Sequence, residues 1–558
     1  MDRVPPEILY VVCSFLSVDD LQNVRLVSKA LADIGASYML PEVTFYMDEK
    51  ELHRLHAISE HPIFSKHVHS LTYFAMALDN VSWREFLIDY KSEVRWDSKL
   101  KGRNIQSAHL KPEYDKYLKA LHMQDFIMKK ELDIDMLREV LKRFPKLTKM
   151  TMSAGDKFYE GPFEIRRSKG VDDVLRYDAS TTLPPEGVRP LEALLRANMD
   201  AKCALKTLRA GFLHWRFFET PVENLTAMFS PLANLTHLHL ILCHKFSAGE
   251  ELSENDDDDI EVDFIMECQR TLAKGGLKHV LRLMPQLQVL TIDILSEECE
   301  EQLKAATLRD IFDPGFRLSN LKGLVLAGVS CDREPLMDFL LLHKNTLQKL
   351  CLRNITLEST SWRKLLPDIR KNLDLNDVCI CDLLYGVVER GGHANDANMA
   401  GHVDVWDDVE FWDLDSPIKA STKMRHSINL YCRSNGALYP NELPLSDTIV
   451  NRHYGEYVRK QQGDEEDEEE DNWEDVDEEN DDDDEYDLDE DYWMDHINDG
   501  GFVDPVFNNM WIQTANGPLP FFGGVFPGLE DDDDLPEEED DEDDDELPDL
   551  EEVLDSTF

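Results

Sequence analysis

The first strong pattern of apolar and polar positions lies at the N-terminus. After Pro5-Pro6-Glu7, apolar residues fall at Ile8, Leu9, Val12, Phe15 and Leu16. That spacing makes one oily stripe on a helix of about three turns, and proline suits its first turn. Ser17 is placed to cap a second helix, with Asp19 and Asp20 near its positive end. Leu21, Val24, Val27 and Leu31 give that helix a stripe of the same period. Two short helices with such wide apolar faces, and so little chain around them, cannot easily bury those faces alone. A partner surface is expected.

Further along, leucines bracket short segments in the pattern L-x-x-L-x-L-x-x-Φ, where Φ is apolar. The clearest copies start at Leu321 and Leu347, and a third, Leu373-Asp-Leu375-Asn-Asp-Val378, lacks the first leucine. Strand positions 324, 350 and 373 are spaced by 26 and then 23 residues, inside the window for leucine-rich repeats. Looser copies contain Leu287, Leu235, Leu205 and Leu147. Pro145 and Pro285 stand where a preceding helix should stop. Helical segments separate the strands, as at Pro335–Leu342 and Trp362–Leu366. Stacked strand–helix units would bury the leucines between them. The fold class expected is α/β: a helical N-terminus, then an irregular leucine-rich-repeat solenoid, then a disordered acidic tail. An acidic insertion from Glu250 to Asp259 interrupts the repeats.

Val4-Pro5, Glu7, Ile8-Leu9, Asp20-Leu21 and Arg25-Leu26-Val27-Ser28-Lys29 together resemble an F-box, the helical module that docks a protein onto the Skp adaptor of cullin–RING ubiquitin ligases. Val4 stands where the family has Leu, and Ala30-Leu31 where it has Trp; both replacements are apolar. The resemblance covers residues 1–45, and with the repeats it is similar to F-box proteins of filamentous fungi that carry degenerate repeats. It implies that Pro5, Ile8, Leu9, Val12, Leu16, Leu21, Val24 and Leu31 face the adaptor. The repeat region at 141–385 would hold a protein substrate on its strand face, at His237, His239, Val325, Ala327, Cys351, Arg353, Asp374 and Asn376. Catalysis would belong to other ligase subunits, so the chain itself is expected to be a non-catalytic receptor. Residues 46–140 are expected to form a helical linker or early irregular repeats, and 386–460 a cap or C-terminal arm.

Charge changes this picture only at one end. The net charge is −55, but residues 461–558 hold 44 acids and no Lys or Arg, leaving −11 for the remainder. The runs 464–495 and 530–552 are too charged to collapse. Between them, residues 500–528 form an island rich in Phe, Trp, Pro and Gly, readable as a docking peptide or as a segment folding back on the repeats. An acidic balance argues against direct nucleic-acid binding, which needs clustered Lys and Arg. No apolar run reaches the roughly 18–20 residues that span a bilayer. No basic, continuously apolar leader opens the chain. Ten cysteines without a Cys-x-x-Cys pair suit reduced thiols in the cytoplasm or nucleus.

Phosphate-binding glycine loops, H-E-x-x-H and G-x-S-x-G are absent from the sequence. The histidines at 53, 56, 61, 67 and 69 lack zinc-finger spacing and read as exposed helix positions. Cys379 and Cys381 fall on one face of a strand and read as buried packing; no metal or cofactor is expected. Two other functional classes stay open. One is a repeat scaffold with no ligase; the other is an acidic binder of basic nuclear proteins that acts through the tail.

Overall fold

A computed structural model describes residues 4–87 apart from 76, 79 and 85, then 111–154, 158, 185–243, 257–295, 304–387, 409–414 and 419–433. The chain divides into two units, Met1–Asp471 and Asn472–Phe558, the second wholly outside the described residues. The acidic runs at 464–495 and 530–552 and the aromatic island also lie outside them.

The described chain is mixed α/β. Three helices open it: α1 (Pro6–Cys13), α2 (Val18–Val24) and α3 (Lys29–Met39). Two were expected. The second apolar stripe is split because Arg25–Val27 form a turn and Ser28 caps a new helix, its Oγ accepting from the Leu31 N–H at 3.3 Å. Ser17 caps α2, accepting from the Asp20 N–H at 3.2 Å.

Nine strands then form one wholly parallel sheet. In chain order they are β1 (Glu42–Phe45), β2 (Ser70–Phe74), β3 (Lys149–Ser153), β4 (Thr207–His214), β5 (His237–Cys243), β6 (Val289–Leu295), β7 (Gly323–Ala327), β9 (Lys349–Arg353) and β11 (Asp377–Cys381). Each lies beside its predecessor, and the helices between strands pack successively on one another. Register explains the core. Val43, Leu71, Met150, Leu208, Leu238, Leu290, Leu324, Leu350 and Val378 form one column across the sheet. Phe45, Tyr73, Met152, Ala210, Leu240, Ile292, Leu326, Leu352 and Ile380 form a second, two residues on. Every member of both columns is buried in one continuous core. Alternation along each strand sends the residues between them to the opposite, open face.

A smaller sheet follows the turns at the ends of the last three of these strands. β8 (Ser330–Cys331), β10 (Thr356–Leu357) and β12 (Leu383–Val387) run parallel, and β13 (Val409–Asp413) pairs antiparallel with β12. The turn residue is Gly328, Asn354 or Asp382, each left-handed at φ 68°, 48° and 61°. A Cβ on Gly328 would meet the Ile294 carbonyl oxygen at 1.8 Å, so glycine is required there, whereas Asn and Asp tolerate the conformation. The last described helix, Lys419–Cys432, covers the edge of the large sheet. Asn429 Oδ1 accepts from the Ile380 N–H at 2.7 Å, closing part of an otherwise open edge.

The sheet begins at Glu42, and β2 puts a strand inside residues 46–140, where a helical linker or early irregular repeats were expected; β1 and β2 use Val43, Phe45, Leu71 and Tyr73 instead of a leucine run. Two expectations need correcting. The third leucine copy is out of phase: Val378, not Leu373, is level with Leu350. The insertion ends early, since a helix spanning Asp257–Ala273 starts inside it.

Candidate functional site

The N-terminal helices build a small core of their own from Cys13, Leu21, Leu31 and Ile34, with Leu9, Leu16, Val24, Tyr38 and Met39 packed against it. This core is separate from the main one. Pro5 caps α1, its carbonyl accepting from the Ile8 N–H at 3.0 Å, and Glu7 sits in the first turn, where a negative charge suits the helix dipole. Arg25 ties the hairpin to the body by lying 4.9 Å over the Phe64 ring.

What remains outward is unusual. Among the described residues eleven large apolar side chains are exposed, and eight of them are Val4, Ile8, Tyr10, Val11, Val12, Phe15, Leu26 and Val27. Phe15 is 63% exposed and Leu26 86%. A soluble surface rarely leaves such a cluster uncovered. The sequence-predicted adaptor residues divide accordingly. Pro5, Ile8 and Val12 are exposed; Leu9, Leu16 and Val24 are half-buried against the hairpin core. Leu21 and Leu31 do not face outward. They are buried inside the hairpin, at 2% and 3% exposure, because three helices, not two, close around them.

Tyr10, Val11 and Leu26 join the outward face although helical periodicity did not select them, and so does Val27, which lay on the second stripe. A legible signal was present: no polar residue interrupts Ile8 to Cys13, so α1 is apolar all round and must be covered on both sides.

The family model for the F-box domain matches residues 1–40. The chain carries an F-box. In general F-box domains bind the Skp adaptor within cullin–RING ligases and serve as non-catalytic adaptors, a role of substrate receptor. No curated protein matches the chain.

On the open face of the sheet, the proposed substrate positions also divide. His237, His239, Val325, Ala327, Cys351 and Arg353 lie on strands facing away from the leucine columns. Val325, Ala327, Cys351 and His239 are nevertheless buried, and His237 and Arg353 are half-buried. Asp374 and Asn376 are exposed but precede β11, off the strand face, because the register places Asp377, Cys379 and Cys381 there instead. Burial, with Arg209 nearby, holds both His237 and His239 below the usual imidazole range, His239 the further of the two. Arg353 is clamped, its Nε donating to Asp382 at 2.8 Å while its Nη1 lies 3.9 Å from Asp293. Lys149 lies 3.4 Å from Glu42, and Arg433 2.9 Å from Asp377. Cys379 sits level with Cys351 on the neighbouring strand. Its contacts with the Cys351 and Cys381 thiols hold it below the usual thiol range.

Of the histidine-rich stretch, His53 is exposed on the helix Glu49–Glu60, whereas His56 is half-buried on it. His61 instead accepts from the Phe64 N–H through Nδ1 at 3.2 Å. No helix among the described residues is long and apolar enough to cross a membrane.

Proposed function

We propose that the chain is the substrate-recognition subunit of a Skp–cullin–F-box ubiquitin ligase. It docks on the Skp adaptor through the outward apolar side of residues 4–27 and takes a protein substrate on the open face of the sheet. The observation that carries this is the coincidence of the F-box match with eight of the eleven exposed large apolar side chains. A standard interface covers about 800 Å² per partner with an apolar centre, which a patch of eight such side chains suits.

On this reading the body is an irregular leucine-rich-repeat solenoid. Supporting that are the sequential order of nine parallel strands, the two apolar columns and the recurring left-handed turn at Gly328, Asn354 and Asp382. The open face mixes polar, charged and thiol groups and singles out no ligand class. The receptor acts by proximity: holding a substrate lysine near activated ubiquitin raises its effective concentration. The cytoplasm or nucleus is the setting this role requires.

Co-purification with the Skp adaptor tests the reading, comparing the full chain with an Ile8→Asp/Phe15→Asp variant. Both side chains are exposed, so the variant should fold with unchanged thermal unfolding. Docked, each carboxylate would be buried at a cost above the roughly 2–7 kcal/mol of an unpaired neutral polar group. The parent should retain the adaptor and the variant lose it. Failure of the parent to bind, or equal retention by both, would sink the proposal.

A further inference from the structure

Three cysteines meet at the C-terminal end of the open face. Cys379 and Cys381 alternate to the same side of β11, and Cys351 is the direct partner of Cys379 on β9. The three sulfurs lie within 4.8 Å of one another, with Cys379 and Cys381 at 3.5 Å. Nothing about the leucine pattern requires this, since all three stand on the face opposite the apolar columns. No other group of three potential ligands occurs among the described residues.

The geometry points to a thiolate site for a soft d¹⁰ cation, Zn²⁺ or Cu⁺, held by Cys351, Cys379 and Cys381. A metal–sulfur bond of about 2.3 Å places two sulfurs about 3.8 Å apart in a tetrahedron and about 4.0 Å apart in a plane. The Cys379–Cys381 separation of 3.5 Å falls just short of those values and no pair exceeds 4.8 Å, so binding needs sulfur shifts of under about 1 Å, within the reach of small side-chain rotations. Three thiolates leave a fourth tetrahedral position open or complete a trigonal one. Access exists on one side, because Cys351 and Cys381 are buried while Cys379 is only half-buried. Arg353, on the same strand as Cys351, is paired with Asp382 and lies near Asp293, so those carboxylates offset its positive charge and the three sulfurs carry the site. A bound ion would cross-link the last two strands of the sheet, next to the helix whose Asn429 caps Ile380, the residue between two of the ligands. Sequence spacing alone could not reveal the site, because Cys351 joins it only through strand register.

Cadmium is a direct probe, since Cd²⁺ bound to thiolate gives a near-ultraviolet charge-transfer band and Cd²⁺ on carboxylate does not. The acidic residues of the chain therefore stay silent. The reduced, chelator-stripped full chain is titrated anaerobically with Cd²⁺, alongside Cys379→Ser and Cys203→Ser; Cys203 lies outside the cluster. The parent and Cys203→Ser should develop the band to saturation at one equivalent. Cys379→Ser should lose at least a third of its intensity and bind at least tenfold more weakly. Zn²⁺ should compete the band away in the parent and raise its unfolding temperature but not that of Cys379→Ser. No band in the parent, or an unchanged band in Cys379→Ser, overturns the site. Because Cys379 is half-buried, its serine variant is expected to fold. Should it not, Zn²⁺-dependent protection of Cys379 from alkylation in the parent decides the matter: protection supports the site, and none overturns it.

Discussion

Single residues carry much of the strain and charge logic here. Gly328 has φ 68° and no room for a Cβ beside Ile294, while Gly315, at φ 78°, has nothing within 4 Å. Gly315→Ala should therefore cost about 1 kcal/mol, the left-handed penalty alone. Gly328→Ala adds a backbone clash and should cost at least about 2 kcal/mol more. Urea midpoints of the two variants measure the difference; equal losses would contradict the packing described. Glu410 makes a second case. It is buried between the small sheet and the helix beginning at Trp362, accepts from the Trp362 N–H at 2.6 Å, and has Arg363 at 3.5 Å. Burial outweighs the arginine and raises the carboxyl from 4.5 to about 7. Below pH 4.5 folded and unfolded chains both hold the proton. Between 4.5 and 7 only the folded chain does, so stability falls as pH rises through that window, by roughly 3 kcal/mol at most, and then levels. Glu410→Gln keeps an acceptor for Trp362 without the charge. It should be more stable than the parent above pH 7, the gap closing toward pH 4.5; a gap independent of pH would contradict this.

Among the elements, the F-box helices show what a helical stripe can and cannot tell. Ile8, Leu9, Val12, Phe15 and Leu16 were readable as apolar positions, but the stripe alone does not say which side meets the hairpin core and which meets a partner. The structure separates them: Leu21 is 2% exposed and Ile8 52%. Leu21→Ala should therefore loosen the hairpin by about 2–5 kcal/mol, whereas Ile8→Ala should leave folding within about 0.5 kcal/mol and weaken adaptor binding. Tryptic cleavage within residues 1–40, followed over time, distinguishes the two; equal sensitivity of both variants would contradict the assignment. In the strands, the leucine rule was legible at Leu321–Val329 and Leu347–Ile355 and misphased at Leu373. The true column residues there are Val378 and Ile380, and β-branched residues bury as well as leucine in a strand without signalling the repeat. Phe45 and Tyr73 hide the first two strands in a similar way, since aromatic residues bury there without signalling the repeat. The cysteine cluster was half legible: alternation aligned Cys379 with Cys381, and only tertiary pairing supplied Cys351.

At the scale of the whole molecule, one parallel sheet grows in chain order from β1, which follows the F-box directly, to β11, whose edge the Lys419–Cys432 helix covers. The F-box thus stands at the start of the sheet and keeps a core separate from it. On the proposed reading, that separation leaves one end for the adaptor and the open face for a substrate. The central claim is that residues 4–27 form the adaptor-docking face, and amide hydrogen exchange of the full chain with and without the Skp adaptor tests it most directly. The account predicts strong added protection across Pro6–Cys13 and the Arg25–Val27 turn, with exchange in the strands of the large sheet unchanged. No added protection in residues 4–27, or protection confined to the sheet, would contradict it.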